Sequence, residues 1–158
     1  MEDVMGLKAV EATRREALAL AGLAGFVAVL APRMAMADEQ AVTAEIKKLY
    51  GDKAMGSGKI KLDVPEIAEN GLVVPINVEV ESPMTDADYV KAVHVYADGN
   101  PLPGVVSYKF TPACGKASAS TRMRLAQTQN IVCIAEMSNG SLHMAKANVK
   151  VTIGGCGG

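Results

Sequence analysis

The chain has 158 residues, with 16 lysines and arginines against 17 aspartates and glutamates, three cysteines and no tryptophan. This length fits one domain that can bury a core without support from a metal or a disulfide. The balanced charge excludes the basic surface that binds nucleic acid, so we expect no nucleic-acid partner. Only 4% of the residues are aromatic, so aliphatic side chains must form the core.

The first 37 residues have the order of an export signal. An arginine pair at 14–15 precedes an apolar run at 17–31 and the small residues at 35–37. The apolar run is shorter than the roughly 20 residues that cross a bilayer, so we expect no permanent membrane anchor. The pair resembles a twin-arginine signal, although Ala17 stands where phenylalanine is usual, and the general export route stays open. We predict cleavage after Ala37 and a mature protein in the periplasm.

One helix is predicted at the start of the mature domain. In residues 39–49, Val42, Ile46 and Leu49 recur at spacings of three and four, and Gly51 follows as a stop signal.

From Lys59 onward the apolar period changes to two, and turn residues recur at short intervals. The run "LVVPINVEV" at 72–80 places Leu72 on the same face as the alternate residues up to Val80, and its Pro75 predicts an edge strand. Seven such runs lie at 60–64, 72–80, 90–97, 104–110, 118–125, 131–138 and 142–153. They predict an all-β, immunoglobulin-like β-sandwich over residues 38–153, with no internal repeat or dividing linker.

The chain ends on a glycine-rich arm, residues 154–158. Cys156 lies between Gly154 and Gly155 on one side and Gly157 and Gly158 on the other. Glycine adds backbone freedom and no packing, so this segment is predicted to be a thin, flexible arm. At up to about 3.6 Å per residue, the arm extends on the order of 10 Å beyond Ile153.

The three cysteines differ in their predicted environments. Cys114 lies in the loop "TPACGK" and Cys133 in the strand "IVCIAEM". A disulfide between them is compatible with an oxidising compartment, and the alternative for Cys133 is a buried thiol that packs like a small apolar residue. Cys156 has no obvious structural partner. An unperturbed thiol is only about 3% thiolate at pH 7, so Cys156 would need activation by a partner protein.

Several chemistries lack their motifs. The sequence has no glycine-rich phosphate loop, no Cys-x-x-Cys and no His-Glu-x-x-His, so we predict no catalytic residue, cofactor or metal. Two alternatives remain open: an exported sandwich that serves only as an interaction module, and a blue-copper electron carrier. The copper ligands would be Cys133, His94, His143 and either Met144 or Met137. Blue-copper loops between the cysteine and the second histidine are usually shorter than the nine residues found here.

The terminal "GGCGG", together with "AENGLVVPINVEVESPMTDADYVKAVHVYADGNPLPGVVSYKF" and "STRMRLAQTQNIVCIAEMSNGS", resembles the SoxY family, the sulfur-carrier subunits of the bacterial thiosulfate-oxidising system. The resemblance runs from about residue 38 to the end. It implies that Cys156 is the covalent attachment point of a non-catalytic carrier and that SoxZ is the heterodimer partner. It also implies transient docking to the haem-containing SoxXA, the hydrolase SoxB and the sulfane dehydrogenase SoxCD. It assigns no role to Cys114 or Cys133.

Overall fold

The structure is a computed structural model that describes residues 37–154. The described chain forms one helix, nine strands and one short 3-10 turn. In chain order they are α1 (Glu39–Tyr50), β1 (Met55–Gly56), β2 (Ile60–Asp63), β3 (Ile67–Ala68), β4 (Val74–Val80), β5 (Val90–Ala97), β6 (Gly104–Lys109), the 3-10 turn (Pro112–Cys114), β7 (Ala117–Met123), β8 (Gln129–Met137) and β9 (Leu142–Val151).

Two sheets pack face to face, which confirms the predicted β-sandwich with one N-terminal helix. The larger sheet has the order β1-β9-β8-β5-β6, with β3 also paired to β9, and the smaller has the order β2-β4-β7. Valines, isoleucines, alanines and methionines from both inner faces form the core between them. Burial of this apolar surface drives the packing of the sheets.

Helix α1 begins and ends where the sequence predicts. The Asp38 side chain accepts a hydrogen bond from the Ala41 N–H at 2.8 Å and caps the first turn. Gly51 ends the helix at φ 66°, a left-handed value that glycine adopts without strain. Val42 and Ile46 are buried, whereas Leu49, in the last turn of the helix, is exposed.

The helix covers part of the outer face of the larger sheet. Its buried side chains pack against Tyr96, Val132 and Ile134, which point away from the sandwich core. Strands β5 and β8 are therefore apolar on both faces, because one face meets the other sheet and the other meets α1. This explains why their sequences are nearly continuous apolar runs.

The edge position predicted for the strand at 72–80 is wrong, because β4 lies between β2 and β7. Pro75 is tolerated because the pairing with β2 ends at Asn77, so the missing N–H of the proline lies beyond that partner. The strand begins only at Val74, and Leu72, predicted to face the core, is exposed.

The sequence did not predict strands β1 and β3. Each has two residues and pairs in parallel with β9. A two-residue segment is too short to show a period, so the alternation pattern could not reveal it.

The predicted export signal lies outside the described residues, except for Ala37. Within residues 37–154, no helix is both long enough and apolar enough to span a membrane.

Candidate functional site

The predicted attachment residue, Cys156, lies outside the described residues together with Gly155, Gly157 and Gly158. The structure describes the point from which they leave the domain, residues 151–154, which we call the arm root. The geometry of the site is therefore the geometry of this root and its contacts.

Strand β3 and the residues after it hold one side of the arm root. Ala68 pairs with Val151 in the parallel ladder, and its carbonyl oxygen accepts a hydrogen bond from the Thr152 N–H at 3.1 Å. The Thr152 hydroxyl donates to the carbonyl oxygen of Glu69 at 2.8 Å. Two successive residues of the root are thus fixed to the same segment.

Gly71 extends this attachment to the next residue. Its N–H donates to the carbonyl oxygen of Ile153 at 2.7 Å, while its own carbonyl oxygen accepts from the Leu125 N–H at 2.8 Å. The backbone of Gly71 therefore bridges the arm root and the segment that follows β7.

The loop between β7 and β8 holds the opposite side of the root. The Thr128 hydroxyl accepts a hydrogen bond from the Val151 N–H at 2.9 Å. Gly154 lies so close to the carbonyl oxygen of Ala126 that a β-carbon at position 154 would overlap it. Position 154 therefore requires glycine because of this close backbone contact, apart from the backbone freedom that glycine provides.

A network of side-chain amides positions that loop. Gln129 is buried and accepts a hydrogen bond from the Gly99 N–H at 2.7 Å, and its amide nitrogen donates to the side-chain oxygen of Asn100 at 3.0 Å. The same oxygen accepts from the Ala126 N–H at 3.0 Å. The amide network therefore fixes Ala126, the residue against which Gly154 packs.

Exposed apolar side chains gather at the root. The described residues include seven exposed large apolar side chains, and four of them belong to the root or to the segment bonded to it. These four are Ile67, Leu72, Val73 and Ile153, which are 58%, 46%, 57% and 68% exposed.

Cys114 is an exposed, free thiol at the end of the 3-10 turn. Hydrogen bonds from the backbone and the hydroxyl of Thr111 lower the pKa of this thiol. The turn precedes β7, whose far end leads to Leu125 and the arm root. β7 has seven residues of extended strand, about 20 Å in length, between the end near this turn and the end that leads to the arm root.

Cys133 is fully buried in the sandwich core, and burial raises the pKa of its thiol to about 12. It is a free cysteine, so the Cys114–Cys133 disulfide that the sequence allowed is not formed. The physical reason is position, since Cys133 points into the core while Cys114 is exposed in a surface turn.

The blue-copper alternative is wrong, because its ligands lie on opposite faces of the larger sheet. Cys133 pairs with Val95 and faces the core, whereas His94 pairs with Ile134 and faces α1. His94 also lies edge-on to Tyr50 of the helix, with ring centroids 5.9 Å apart. Neighbouring residues of a strand point to opposite faces, so these ligands cannot meet at one ion. In the part of the chain that the structure describes, histidine, cysteine and carboxylate side chains form no metal-binding group.

A cleft of about 340 Å³ lies between α1 and the larger sheet. Val42, Ile46 and Val132 contribute apolar surface to it. The ion pairs Lys146–Glu39 and Lys47–Asp52, both 2.8 Å long, involve other residues of its lining. The lining contains no cysteine or histidine.

Sequence reasoning missed the residues that hold the arm root, chiefly Gly71, Ala126, Thr128 and Thr152. Their contacts are made by backbone atoms and short side chains distant in sequence, which leave no local pattern. The one signal that could have indicated exposure was the turn sequence Asn70-Gly71 directly before Leu72.

Comparison with known proteins agrees with this architecture. Residues 46–156 match the family model of the sulfur oxidation protein SoxY. The sulfur carrier protein SoxY from Chlorobium limicola f thiosulfatophilum is similar in structure, with a TM-score of 0.61 and 31% identity over 72% of this chain and 98% of that chain. The superoxide reductase (neelaredoxin) from Ignicoccus hospitalis shares the fold at 18% identity and a TM-score of 0.54, over 60% of this chain and 80% of that chain. No curated protein matches the chain by sequence.

Proposed function

The chain belongs to the SoxY family of sulfur carriers, and we propose that Cys156 is the residue on which it holds thiosulfate-derived groups while successive enzymes act on them. One observation carries this proposal: the family match extends to residue 156 and so includes the terminal cysteine. The other two thiols are poorer candidates, since Cys133 is buried and Cys114 lies in a surface turn far from the arm root.

The chemistry requires a thiol that can enter another protein. In the loading step, the Cys156 thiol and thiosulfate join through a new sulfur–sulfur bond, giving a cysteine S-thiosulfonate, one proton and two electrons. The electrons pass to the haem enzyme that catalyses the coupling. In the next step, water cleaves the terminal sulfur–sulfur bond, which releases sulfate and a proton and leaves a persulfide on Cys156.

The contacts of the arm root support this role. Hydrogen bonds fix the chain up to Ile153, and Gly154 packs against Ala126. The segment from Gly155 onward contains only glycine and the cysteine, so its cross-section is small enough for a narrow channel. The carrier thus presents its thiol from a defined exit point.

We place this protein in the periplasm as the heterodimer partner of SoxZ, with SoxXA, SoxB and SoxCD as the enzymes that act on the arm. The family membership supports Sox-system partners in general. The export signal predicted at residues 1–37 supports the location, with the twin-arginine route as the proposed path.

The test reconstitutes the loading of thiosulfate onto the carrier from purified components. The purified heterodimer is incubated with thiosulfate, the haem enzyme and an electron acceptor, and intact mass is recorded. We expect an adduct on the wild type and on Cys114→Ser, and none on Cys156→Ser. Thermal unfolding of all three proteins controls for folding. An adduct that persists in Cys156→Ser and is lost in Cys114→Ser would overturn the assignment.

A further inference from the structure

An open surface pocket of about 330 Å³ lies beside the loop that holds the arm root. Arg124 is the only charged residue that lines it, and Pro101, Leu102 and Val105 give it apolar walls. The Arg124 side chain is exposed and takes part in none of the ion pairs that the structure describes within residues 37–154. The pocket therefore combines a single guanidinium with apolar surface.

Asn100 connects this pocket to the arm root. Its amide nitrogen donates a hydrogen bond to the carbonyl oxygen of Arg124 at 2.9 Å, and its side-chain oxygen accepts one from the Ala126 N–H at 3.0 Å. The carbonyl oxygen of Ala126 is the atom against which Gly154 packs. The same side chain thus fixes both the backbone of the pocket and the point where the arm leaves the domain.

The arm is long enough to bring a group on Cys156 to this pocket. Arg124 lies two residue steps from Ala126, which touches Gly154, so the α-carbons of Arg124 and Gly154 are at most about 13 Å apart. Two residue steps, the cysteine side chain and two sulfur–sulfur bonds of about 2 Å carry a terminal sulfonate a similar distance from Gly154. The extended arginine side chain shortens the gap further.

The charges around the arm root favour this direction for an anion. On the side of strand β3, the exposed carboxylates of Glu66 and Glu69 outnumber the ammonium group of Lys150, whose N–H bonds the Glu66 carbonyl oxygen. On the side of Ala126, Arg124 supplies a positive charge that no carboxylate in the described residues neutralises. A negative group on the arm is therefore repelled from one side and attracted to the other.

We infer that Arg124 binds the terminal sulfonate of the thiosulfate-derived group on Cys156, and that its pocket is the resting position of the loaded arm between enzymes. This inference rests on the proposed carrier function. A planar guanidinium donates two parallel hydrogen bonds to the oxygens of a bound oxyanion. The walls formed by Leu102 and Val105 offer apolar contact to the sulfur atoms of the group.

The site distinguishes between the forms of the carrier. The S-thiosulfonate presents three sulfonate oxygens to the guanidinium, whereas the persulfide left after sulfate release has none. We therefore expect the loaded arm to rest in the pocket and the persulfide arm to leave it more readily.

Docking protects the attached group from small thiols. In the exchange reaction, a thiolate attacks the Cys156 sulfur and forms a new disulfide, and thiosulfate leaves with the electron pair of the broken sulfur–sulfur bond. The walls of the pocket hinder this approach while the arm is docked, so the exchange rate reports how often the arm is free.

The experiment loads the full heterodimer with thiosulfate by means of the haem enzyme, removes that enzyme and adds excess mercaptoethanol. Intact mass follows the loss of the S-thiosulfonate. The loss should be about threefold faster in Arg124→Gln than in the wild type, because an exposed ion pair stabilises the docked arm only modestly. Arg124→Lys, which keeps the charge without the planar fork, should lie between the two. Arg122→Gln is the matched control, since this exposed arginine lines a different depression with Pro75 and Thr121, and it should react at the wild-type rate.

The direction of the change separates docking from simple attraction of the reagent. The attacking thiolate is an anion, so loss of a positive charge that only attracted it would slow the reaction. A rate in Arg124→Gln equal to or below that of the wild type would overturn the inference and leave the carrier function intact.

A neutral adduct tests recognition of the sulfonate itself. When Cys156 carries a mercaptoethanol disulfide instead, the exchange rates of the wild type and Arg124→Gln should be equal. The same acceleration for both adducts would show that Arg124 does not bind the sulfonate, and it would also overturn the inference. Absence of the S-thiosulfonate on Cys156 of the wild type would instead refute the proposed function.

Discussion

The α-carbon of Gly154 lies against the carbonyl oxygen of Ala126, in a position where a β-carbon would overlap that oxygen. The contact is the last one that the structure describes before the predicted attachment residue. It is a close backbone contact at Gly154, and it depends on the absence of a side chain at that position.

Gly154→Ala should therefore redirect the arm without unfolding the protein. The overlap with Ala126 can be relieved by moving the chain end, so we expect the melting temperature to change by only a few degrees and the loading rate to fall several-fold. Gly104→Ala is the matched control, because a β-carbon there meets nothing within 4 Å. Equal loading rates for the two variants would show that the contact has no role in presentation.

Thr152→Val tests the attachment of the root to the segment after β3. The change removes the hydroxyl that donates to the Glu69 carbonyl oxygen, and we expect the free energy of unfolding to fall by about 0.5–1.5 kcal/mol. Amide hydrogen exchange at Gly71 should accelerate, since its bond to Ile153 loses support. Thr43→Val removes a hydroxyl bonded to a carbonyl of α1, and it should leave exchange at Gly71 unchanged. Similar exchange at Gly71 in both variants would contradict the proposed attachment.

Gln129→Leu, at the first residue of β8, should be more destabilising than Gln127→Leu in the loop before that strand. It leaves the buried Gly99 N–H without its acceptor, which costs about 1–3 kcal/mol of stability. Gln127→Leu changes an exposed side chain, so its free energy of unfolding should lie within about 0.5 kcal/mol of the wild-type value. Urea denaturation measures both. The prediction fails if the two variants have the same midpoint.

The buried thiol of Cys133 predicts a loss of stability at alkaline pH. Burial raises its pKa to about 12 in the folded protein, whereas the pKa of a thiol in the unfolded chain is about 8.5. The unfolded state therefore loses the proton first. This stabilising contribution is complete below about pH 8.5 and is lost as pH rises toward 12, by up to about 1.4 kcal/mol per unit.

Cys133→Ala isolates this effect, since alanine has no proton to lose. We expect the stability advantage of the wild type over the variant to shrink between pH 8 and pH 10, as measured by denaturant unfolding at each pH. A constant difference across that range would show that the thiol is not shielded from water as the structure indicates.

The sequence predicted the sandwich and α1 because both depend on local patterns. Alternating apolar residues identified the longer strands, and Asp38 and Gly51 bracket the helix at positions where caps are expected. The prediction of an edge at Pro75 was wrong because strand order depends on pairing between distant segments. A proline is also compatible with an inner strand whose neighbour has already ended.

One part of the candidate site could be predicted from the sequence and another part could not. Cys156 could be selected from the sequence because a cysteine among terminal glycines is a local feature, and it stays a prediction because it lies outside the described residues. The hydrogen bonds that Gly71, Thr128 and Thr152 make at the arm root could not be predicted, since these residues are separated by dozens of residues in the sequence. Exposure of Leu72 likewise depends on where pairing of β4 begins, which alternation does not specify.

The most direct measurement of the carrier function is intact mass and peptide mapping of the mature protein, purified without reductant from thiosulfate-fed and unfed cells of its source. We expect an adduct on the Cys156 peptide that depends on thiosulfate and is removed by reductant, with Cys114 and Cys133 unmodified. An unmodified Cys156 under both conditions, with the native partner present, would contradict the assignment of Cys156 as the attachment site.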